Sequence, residues 1–262
     1  MTDPDDGSKT HRTLAPRLPT RWRDWWRALP LAMLGACSAA DDMNARREAL
    51  IAEVQADVRL TADSLGFSRL DPAVIEALRA VPRHAFVPEW EQDLAYGNHP
   101  LPIGAGQTIS QPYIVAVMSQ MLQVGRGDRV FELGTGSGYQ AAILAAMGVD
   151  VYTVEIVPEL AERARKTLEA LGYDHVQVRA GDGWMGWPEA APFDAIIVTA
   201  AAPRIPDPLV AQLKTGGRLV IPVGQPNGVQ QLVVYEKEPS GELVGRHQLP
   251  VRFVPVTGRH GR

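Results

Sequence analysis

Apolar runs of strand length alternate with amphipathic, helix-like stretches through the second half of the chain. The strand-like runs lie at 129–133, 151–155, 176–179, 195–199 and 218–223. Helical spacing of apolar residues lies between most of them, at 140–147, 159–171 and 207–214, and the predicted helix stops are Gly172 and Gly216-Gly217. Strands that alternate with helices predict a parallel sheet covered on both faces, with the loops after its strands on one edge.

Two further strand-like runs close the chain, and helices precede the sheet. Runs 230–235 and 243–256 have no helix between them, which predicts an antiparallel hairpin at the end of the sheet. Residues 43–65 have the spacing of an amphipathic helix. A second helix is predicted to start at Asp71-Pro72, with the acid as its cap and the proline in its first turn, and to end at Pro82.

Residues 82–112 are apolar but rich in proline and glycine, and helical spacing returns at 113–122. A long ordered loop in a compact domain is usually functional, so we expect this one to carry function. The fold expected is α/β, a doubly wound, mostly parallel Rossmann-like sheet with a C-terminal antiparallel hairpin and an N-terminal helical extension. Residues 43–262 are expected to form one domain, in which 43–124 precede the sheet-bearing core at 125–262.

Composition excludes several classes of function. The net charge is −4 with no basic stripe, which disfavours a nucleic-acid partner. The single cysteine, Cys37, excludes an intrachain disulfide and a cysteine-based metal cage. Six histidines are scattered without a His-x-x-x-His pair, so no metal is expected.

The first 42 residues differ from the rest and allow two interpretations. The short apolar run 28–37 follows Arg21, Arg23 and Arg27, which is the order of a secretion signal. Leu34-Gly35-Ala36-Cys37 also resembles a bacterial lipoprotein processing box, and membrane attachment is expected only if Cys37 is lipidated. The apolar run contains Pro30 and follows a long segment that begins acidic. We therefore predict a disordered extension and a cytoplasmic protein, with an exported envelope lipoprotein as the alternative.

The loop after the first core strand has a glycine pattern that predicts a cofactor-binding site. Gly134, Gly136 and Gly138 follow the strand at every second position, and a helix follows them. Glycines let a ligand approach the backbone, and the free N–H groups of a helix start face such a ligand. A dinucleotide fingerprint requires glycines at i, i+2 and i+5, but position 139 is Tyr, which argues against an NAD-linked oxidoreductase.

Acidic residues follow three successive strands. Glu132 precedes the glycine loop, Glu155 ends the next strand 21 residues after Gly134, and Asp182 follows the third strand. A carboxylate at the position of Glu155 binds ribose hydroxyls in nucleotide sites of this type. Three acids without a pyrophosphate-binding pattern suit a cationic, phosphate-free nucleoside, and S-adenosyl-L-methionine (AdoMet) has these properties.

Residues 130–200 resemble a class I AdoMet-dependent methyltransferase. Four segments carry the resemblance, in order: Phe131-Glu132-Leu133-Gly134-Thr135-Gly136-Ser137-Gly138-Tyr139, Val154-Glu155, Ala180-Gly181-Asp182-Gly183 and Asp194-Ala195-Ile196-Ile197-Val198-Thr199-Ala200-Ala201. The resemblance implies that the cofactor is held by Glu132, Gly134, Thr135, Gly136, Gly138, Glu155, Asp182, Gly183 and Thr199. In this interpretation Glu132 orients the glycine loop or the methionine ammonium, Glu155 binds the ribose, and Asp182 and Gly183 lie beside the adenine.

More specifically, the chain resembles the protein-L-isoaspartate (D-aspartate) O-methyltransferase family over about residues 45–258. The flanking segments carry this resemblance: Val81-Pro82-Arg83-His84-Ala85-Phe86-Val87-Pro88, Gly106-Gln107-Thr108-Ile109-Ser110-Gln111-Pro112 and Arg252-Phe253-Val254-Pro255-Val256-Thr257-Gly258. It implies methyl transfer to the α-carboxylate of L-isoaspartyl, and possibly D-aspartyl, residues in damaged proteins and peptides. The ester then cyclises to a succinimide, which opens partly to normal aspartate.

The same resemblance implies the substrate side of the site. Ser110 is the active-site position, Gln107 and Thr108 shape its loop, and the tail with Val254, Pro255 and Thr257 forms a substrate wall. From spacing alone, Ser110 is equally a helix N-cap before Pro112. A carboxylate is already ionised at pH 7, so no strong general base is expected.

Two other functions stay open at this point. One is an AdoMet-dependent methyltransferase of a small carboxylic acid or another metabolite. The other is a non-catalytic protein that binds AdoMet or is lipid-anchored.

Overall fold

The computed structural model describes residues 31–226 and 228–258, and within them the side chains of 42–226, 228–246 and 249–258. The chain divides into two compact units, Met1–Met43 and Asn44–Arg262. The predictions for residues 1–30 and for the Cys37 side chain lie outside the described part. Among the residues that the structure describes, no helix is both long and apolar enough to cross a membrane.

Helices α1 (Leu31–Leu60), α2 (Ala62–Leu65) and α3 (Pro72–Ala80) precede the sheet. The helix predicted over 43–65 is divided between α1 and α2, and its apolar positions are buried, including Leu50 and Val54 of α1 and Leu65 of α2. Helix α3 has proline at its start, as predicted, but the predicted side-chain cap is wrong. The Asp71 carboxylate accepts a hydrogen bond from Gln120 Nε2 at 2.8 Å and makes no cap hydrogen bond to its own helix.

The loop between α3 and the core is ordered. It contains 3-10 turns at Arg83–Phe86 and Glu89–Leu94 and then a small antiparallel hairpin of β1 (Leu101–Gly104) and β2 (Gln107–Ile109). Helix α4 (Pro112–Leu122) follows directly. Ser110 therefore lies between the end of β2 and the start of α4, and these two elements fix the position of its backbone.

The core is one seven-stranded sheet. Its strands are β3 (Arg129–Leu133), β4 (Asp150–Glu155), β5 (Gln177–Ala180), β6 (Phe193–Val198), β7 (Leu213–Val223), β8 (Gln230–Lys237) and β9 (Leu243–Val251), and the helices between them are α5 (Tyr139–Ala146), α6 (Pro158–Ala170) and α7 (Asp207–Gln212). The spatial order is β5-β4-β3-β6-β7-β8-β9. Strands β3 to β7 pair in parallel, whereas β7–β8 and β8–β9 are antiparallel, which confirms the predicted architecture.

Hydrophobic clusters cover both faces of this sheet. One cluster joins Val117 of α4, Ile143 of α5 and Val151 of β4, and the other joins Phe131 and Ile196 of the strands with Leu209. The chain leaves β3 to form β4 on one side and later returns to form β6 on the other. The carboxyl ends of β3 and β6 therefore flank the point where strand order reverses, and ligands bind at such a point in open α/β sheets.

Two predicted boundaries are wrong. The last core helix ends at Gln212 instead of 214, and Gly216-Gly217 lies inside β7 instead of stopping the helix. Glycine is required there for close approach, because a Cβ on Gly217 would lie 2.7 Å from the carbonyl oxygen of Asp194. The final strand ends at Val251 instead of 256, and Pro255 instead forms a parallel bridge with Ala201.

Candidate active site

The glycine loop after β3 takes backbone conformations that favour glycine. Gly134, Gly136 and Gly138 have φ values of 101°, 54° and 88°. A Cβ on Gly134 would lie 2.5 Å from the hydroxyl oxygen of Thr199, which reaches the Gly134 carbonyl at 2.6 Å. The end of β6 is thus bound to the loop after β3, and any side chain at position 134 would separate them.

Glu155, the last residue of β4, holds this loop from the side. Its Oε2 accepts a hydrogen bond from the Gly136 N–H at 2.7 Å, and its Oε1 accepts one from the Val157 N–H at 3.0 Å. Charge-assisted hydrogen bonds of this kind are stronger than neutral ones. The carboxylate lines the cavity above the loop, so its remaining lone pairs are available to a ligand.

Glu132 has a different environment from the one predicted. It is fully buried within β3, and neither carboxyl oxygen has a hydrogen-bond partner among the described residues. Burial raises the pKa of Glu132 to about 8; the nearby Thr153 hydroxyl opposes this rise and the charge of Glu155 adds to it. Glu155, and not Glu132, makes the hydrogen bond to the glycine loop.

Most of the predicted site residues meet around one cavity at the carboxyl edge of the sheet. Those that line it are Gln107, Thr108, Ser110, Gly134, Thr135, Gly136, Glu155, Asp182, Gly183, Thr199, Val254, Pro255 and Thr257. Glu132 and Gly138 are not among the lining residues. Gly138 instead packs at the start of α5, where a Cβ would lie 3.3 Å from Ala164 Cβ.

The loop after β5 and the C-terminal tail complete this cavity. Asp182 Oδ1 accepts the Trp184 N–H at 3.0 Å, which fixes the turn that carries Gly183. The tail is held by backbone hydrogen bonds of 2.8 Å, from the Ala201 N–H to the Val254 carbonyl and from the Val256 N–H to the Ala201 carbonyl. The tail therefore lies beside the end of β6 as a short added strand.

Ser110 lies where this cavity meets a second one. The second cavity has a volume of about 550 Å³ and shares Thr108, Ser110, Thr199 and Val254 with the first. The Ser110 hydroxyl makes no hydrogen bond to another described residue, and α4 has Gln111 as its N-cap. The alternative in which the Ser110 hydroxyl caps the helix therefore does not hold in this structure.

Several residues of the second cavity were not predicted. Asp57, Thr61, Tyr113 and Arg252 line it. The sequence carries no local signal for Asp57 and Thr61, because they belong to a helical region about 50 residues before the Ser110 loop. Among the described residues, no group of three or more His, Cys, Asp or Glu side chains is arranged to hold a metal ion.

Comparison with known sequences decides the family. The family model for protein-L-isoaspartate(D-aspartate) O-methyltransferase matches residues 63–261. The chain belongs to this family. A protein-L-isoaspartate O-methyltransferase 2 of Syntrophobacter fumaroxidans is 56% identical over 88% of this chain and 94% of its own length. A protein-L-isoaspartate O-methyltransferase of Gloeobacter violaceus is 58% identical over 71% of this chain and 90% of its own length.

Solved structures of family members share the fold. A protein-L-isoaspartate O-methyltransferase superposes with a TM-score of 0.69 at 28% identity, covering 79% of this chain and 67% of that one. A putative member from Plasmodium falciparum, in complex with S-adenosyl-L-homocysteine, gives a TM-score of 0.63 at 25% identity, covering 71% of this chain and 91% of that one. The present chain therefore has the fold of this family, with the glycine loop at the carboxyl edge of its sheet.

Proposed function

We propose that this protein transfers the methyl group of AdoMet to the α-carboxylate of L-isoaspartyl residues in damaged proteins and peptides, with D-aspartyl residues as a second acceptor. Family membership supports the reaction and the substrate class. The observation that carries the proposal is the place of Ser110. Its hydroxyl is not engaged by another described residue and lies at the junction between the two cavities.

The residues around the first cavity suit AdoMet. The glycine loop leaves backbone exposed to the cavity, and Glu155 presents a carboxylate to it, the group that binds ribose hydroxyls in related sites. Asp182 and Gly183 lie after the third parallel strand, where we place the adenine. Thr135, Gly136 and Thr199 are proposed to contact the rest of the cofactor. AdoMet, when bound, supplies an electrophilic methyl group on a sulfonium.

The second cavity is proposed to take the isoaspartyl peptide. We propose that the Ser110 hydroxyl donates a hydrogen bond to one oxygen of the α-carboxylate and so directs the other toward the methyl group. Gln107 and Thr108 shape the same wall, and Val254, Pro255 and Thr257 form the opposite wall. Positioning of two reactants in line and exclusion of water are the main demands, because the carboxylate is ionised at pH 7 without a general base.

A comparison of two peptides tests the substrate. An isoaspartyl peptide and its aspartyl twin of the same sequence are incubated with the protein and labelled AdoMet. Methylation of the isoaspartyl peptide alone is the expected result. Equal methylation of both peptides would refute the repair function, and faster methylation of free small acids would support a methyltransferase of metabolites.

The Ser110→Ala variant tests the site. We expect kcat/KM for the isoaspartyl peptide to fall about 100-fold, as for removal of a hydrogen-bond donor that stabilises a transition state. Calorimetric affinity for AdoMet is expected to stay unchanged, since Ser110 is assigned to the acceptor and not to the cofactor. Unchanged turnover in this variant would remove Ser110 from the mechanism.

We also propose that residues 43–262 act as one domain and that the protein works in the cytoplasm. The short apolar run before Cys37 is interrupted by Pro30, which weakens it as a signal. Mass spectrometry of the native N terminus tests this proposal. A lipid on Cys37 would place the protein in the envelope.

A further inference from the structure

The N terminus of α4 is capped from a distant part of the chain. The first N–H groups of a helix have no partner within it, and a side chain just before the helix usually accepts one of them. Here the N-cap residue, Gln111, makes no such hydrogen bond. The N–H of Tyr113 instead donates to Oδ1 of Asn98 at 3.0 Å, and Asn98 belongs to the loop before β1.

Asn98 is itself held by α1. Its Nδ2 donates to Oδ2 of Asp57 at 2.8 Å. A second connection closes the ring, since the Thr61 hydroxyl donates to the Asp57 carbonyl at 2.8 Å and lies 2.7 Å from the Tyr113 hydroxyl. A hydroxyl has one proton, so the Tyr113 O–H is the donor to Thr61. Both polar ends of the Asn98 amide are therefore engaged, which defines its orientation.

This arrangement determines what the Ser110 hydroxyl can do. Ser110 directly precedes the N-cap residue Gln111 and lies three residues before Tyr113, the separation over which a serine hydroxyl accepts a backbone N–H at a helix start. Because Asn98 already accepts that N–H, the Ser110 hydroxyl makes no hydrogen bond within the described structure and lines both cavities. Asn98 thus provides the acceptor that a serine at this separation can provide.

We propose that Asn98, held by Asp57, is a positioning residue that keeps the Ser110 hydroxyl available to the substrate carboxylate. The proposal rests on the role of Ser110 given above. Asn98 lines neither of the two cavities and acts through the Tyr113 N–H. Without its amide oxygen, the free N–H competes for the serine hydroxyl, which then turns away from the acceptor.

A double-mutant cycle tests this coupling. kcat/KM for an isoaspartyl peptide is measured for the wild type, Asn98→Ala, Ser110→Ala and the double variant. Misplacing a reactive group costs a large factor in rate, so Asn98→Ala is expected to lower kcat/KM about 10-fold in the wild type. In the Ser110→Ala background the same change is expected to cost less than about 2-fold. AdoMet affinity, measured by calorimetry, is expected to stay at the wild-type value.

The outcomes separate this proposal from the proposed function. If Asn98→Ala lowers kcat/KM by the same factor in both backgrounds, its role is structural and the positioning proposal fails while Ser110 keeps its role. If Ser110→Ala does not lower kcat/KM at all, the assigned role of Ser110 fails and the positioning proposal fails with it.

An exchange of the two side chains provides a rescue. Asn98→Asp places a second carboxylate against Asp57 and removes the amide donor, so kcat/KM is expected to fall at least about 10-fold. Adding Asp57→Asn restores a donor opposite an acceptor and leaves an acceptor for the Tyr113 N–H. Because Asp57 also lines the second cavity, Asp57→Asn alone is the reference, and the double variant is expected to recover to within about 3-fold of it. A double variant that melts at the wild-type temperature but stays at the activity of Asn98→Asp would overturn the proposal.

Discussion

Replacing Glu132 by glutamine is expected to remove a pH-dependent loss of stability. Glu132 is fully buried in the central strand β3, and neither of its carboxyl oxygens has a hydrogen-bond partner in the described structure. Glutamine has nearly the same volume and stays neutral at every pH of interest. The variant therefore isolates the cost of ionising this one carboxyl group in the core.

The magnitude follows from the pKa of the folded state. Burial raises the pKa of Glu132 from 4.5 to about 8, so the folded protein binds more protons than the unfolded chain between these two values. Stability must then fall as the pH rises through this window. One pKa unit corresponds to about 1.4 kcal/mol, so between pH 5 and pH 7 the wild type should lose about 2–3 kcal/mol relative to Glu132→Gln.

Urea unfolding of both proteins without cofactor, at pH 5, 6, 7 and 8, measures this difference. Glu48→Gln serves as a control, because Glu48 lies outside the core and Arg79 lowers its pKa, the opposite direction to the shift of Glu132. Its free energy of unfolding is expected to differ from that of the wild type by a constant amount between pH 6 and pH 8. If the curves of Glu132→Gln and the wild type run parallel from pH 5 to 8, Glu132 does not carry a proton in the folded core.

Two further changes test the cofactor side of the site. Gly134→Ala combines a positive φ with a Cβ 2.5 Å from the Thr199 hydroxyl oxygen, so it should cost at least about 2 kcal/mol and abolish detectable AdoMet binding in calorimetry. Gly172→Ala is its control, because Gly172 has a φ of 82° and a Cβ there would have no atom within 4 Å. This control should lower stability by about 1 kcal/mol and leave AdoMet affinity unchanged. Equal effects of the two changes would contradict the assignment of Gly134 to the cofactor site. Glu155→Gln places an amide donor against a backbone N–H donor and removes a charge. AdoMet affinity should therefore fall about 10- to 100-fold in calorimetry. An affinity equal to that of the wild type would exclude Glu155 from the cofactor site.

The first cavity, which we propose to hold AdoMet, was largely predictable from the sequence. Strands that alternate with helices place their carboxyl ends on one edge, so the glycine loop, Glu155 and Asp182 had to converge there. The distinction between Glu132 and Glu155 was not predictable in the same way. Both strands are paired on both sides and both side chains are buried, but Glu132 lies one residue before the end of β3, whereas Glu155 ends β4 and reaches the loop.

The second cavity, which we propose to take the peptide, was predicted only where the resemblance covered it. Ser110 and the tail were expected, but the hydrogen bonds that join Asp57 to Asn98 and Asn98 to Tyr113 span 41 and 15 residues. Contacts of this kind depend on how separate elements pack, and no periodicity or local motif records them. A capping serine and a serine freed by a distant cap have the same local sequence.

A glycine after a predicted helix does not by itself show where the helix ends, because its role also depends on tertiary contacts. Gly172 lies just after α6 with a φ of 82°, as expected for a helix stop. Gly217 has the same appearance in the sequence but allows two neighbouring strands to approach closely. The two functions of glycine differ only in the tertiary structure around it.

The most direct test of repair follows the fate of one isoaspartyl peptide over time. The peptide is incubated with the protein and AdoMet, and its methyl ester, its succinimide and its aspartyl twin are separated by chromatography and identified by mass spectrometry. We predict that the ester appears first, the succinimide follows, and the aspartyl peptide accumulates only when AdoMet is present. An isoaspartyl peptide that stays unmodified, or whose aspartyl twin accumulates equally without AdoMet, would contradict the proposed function.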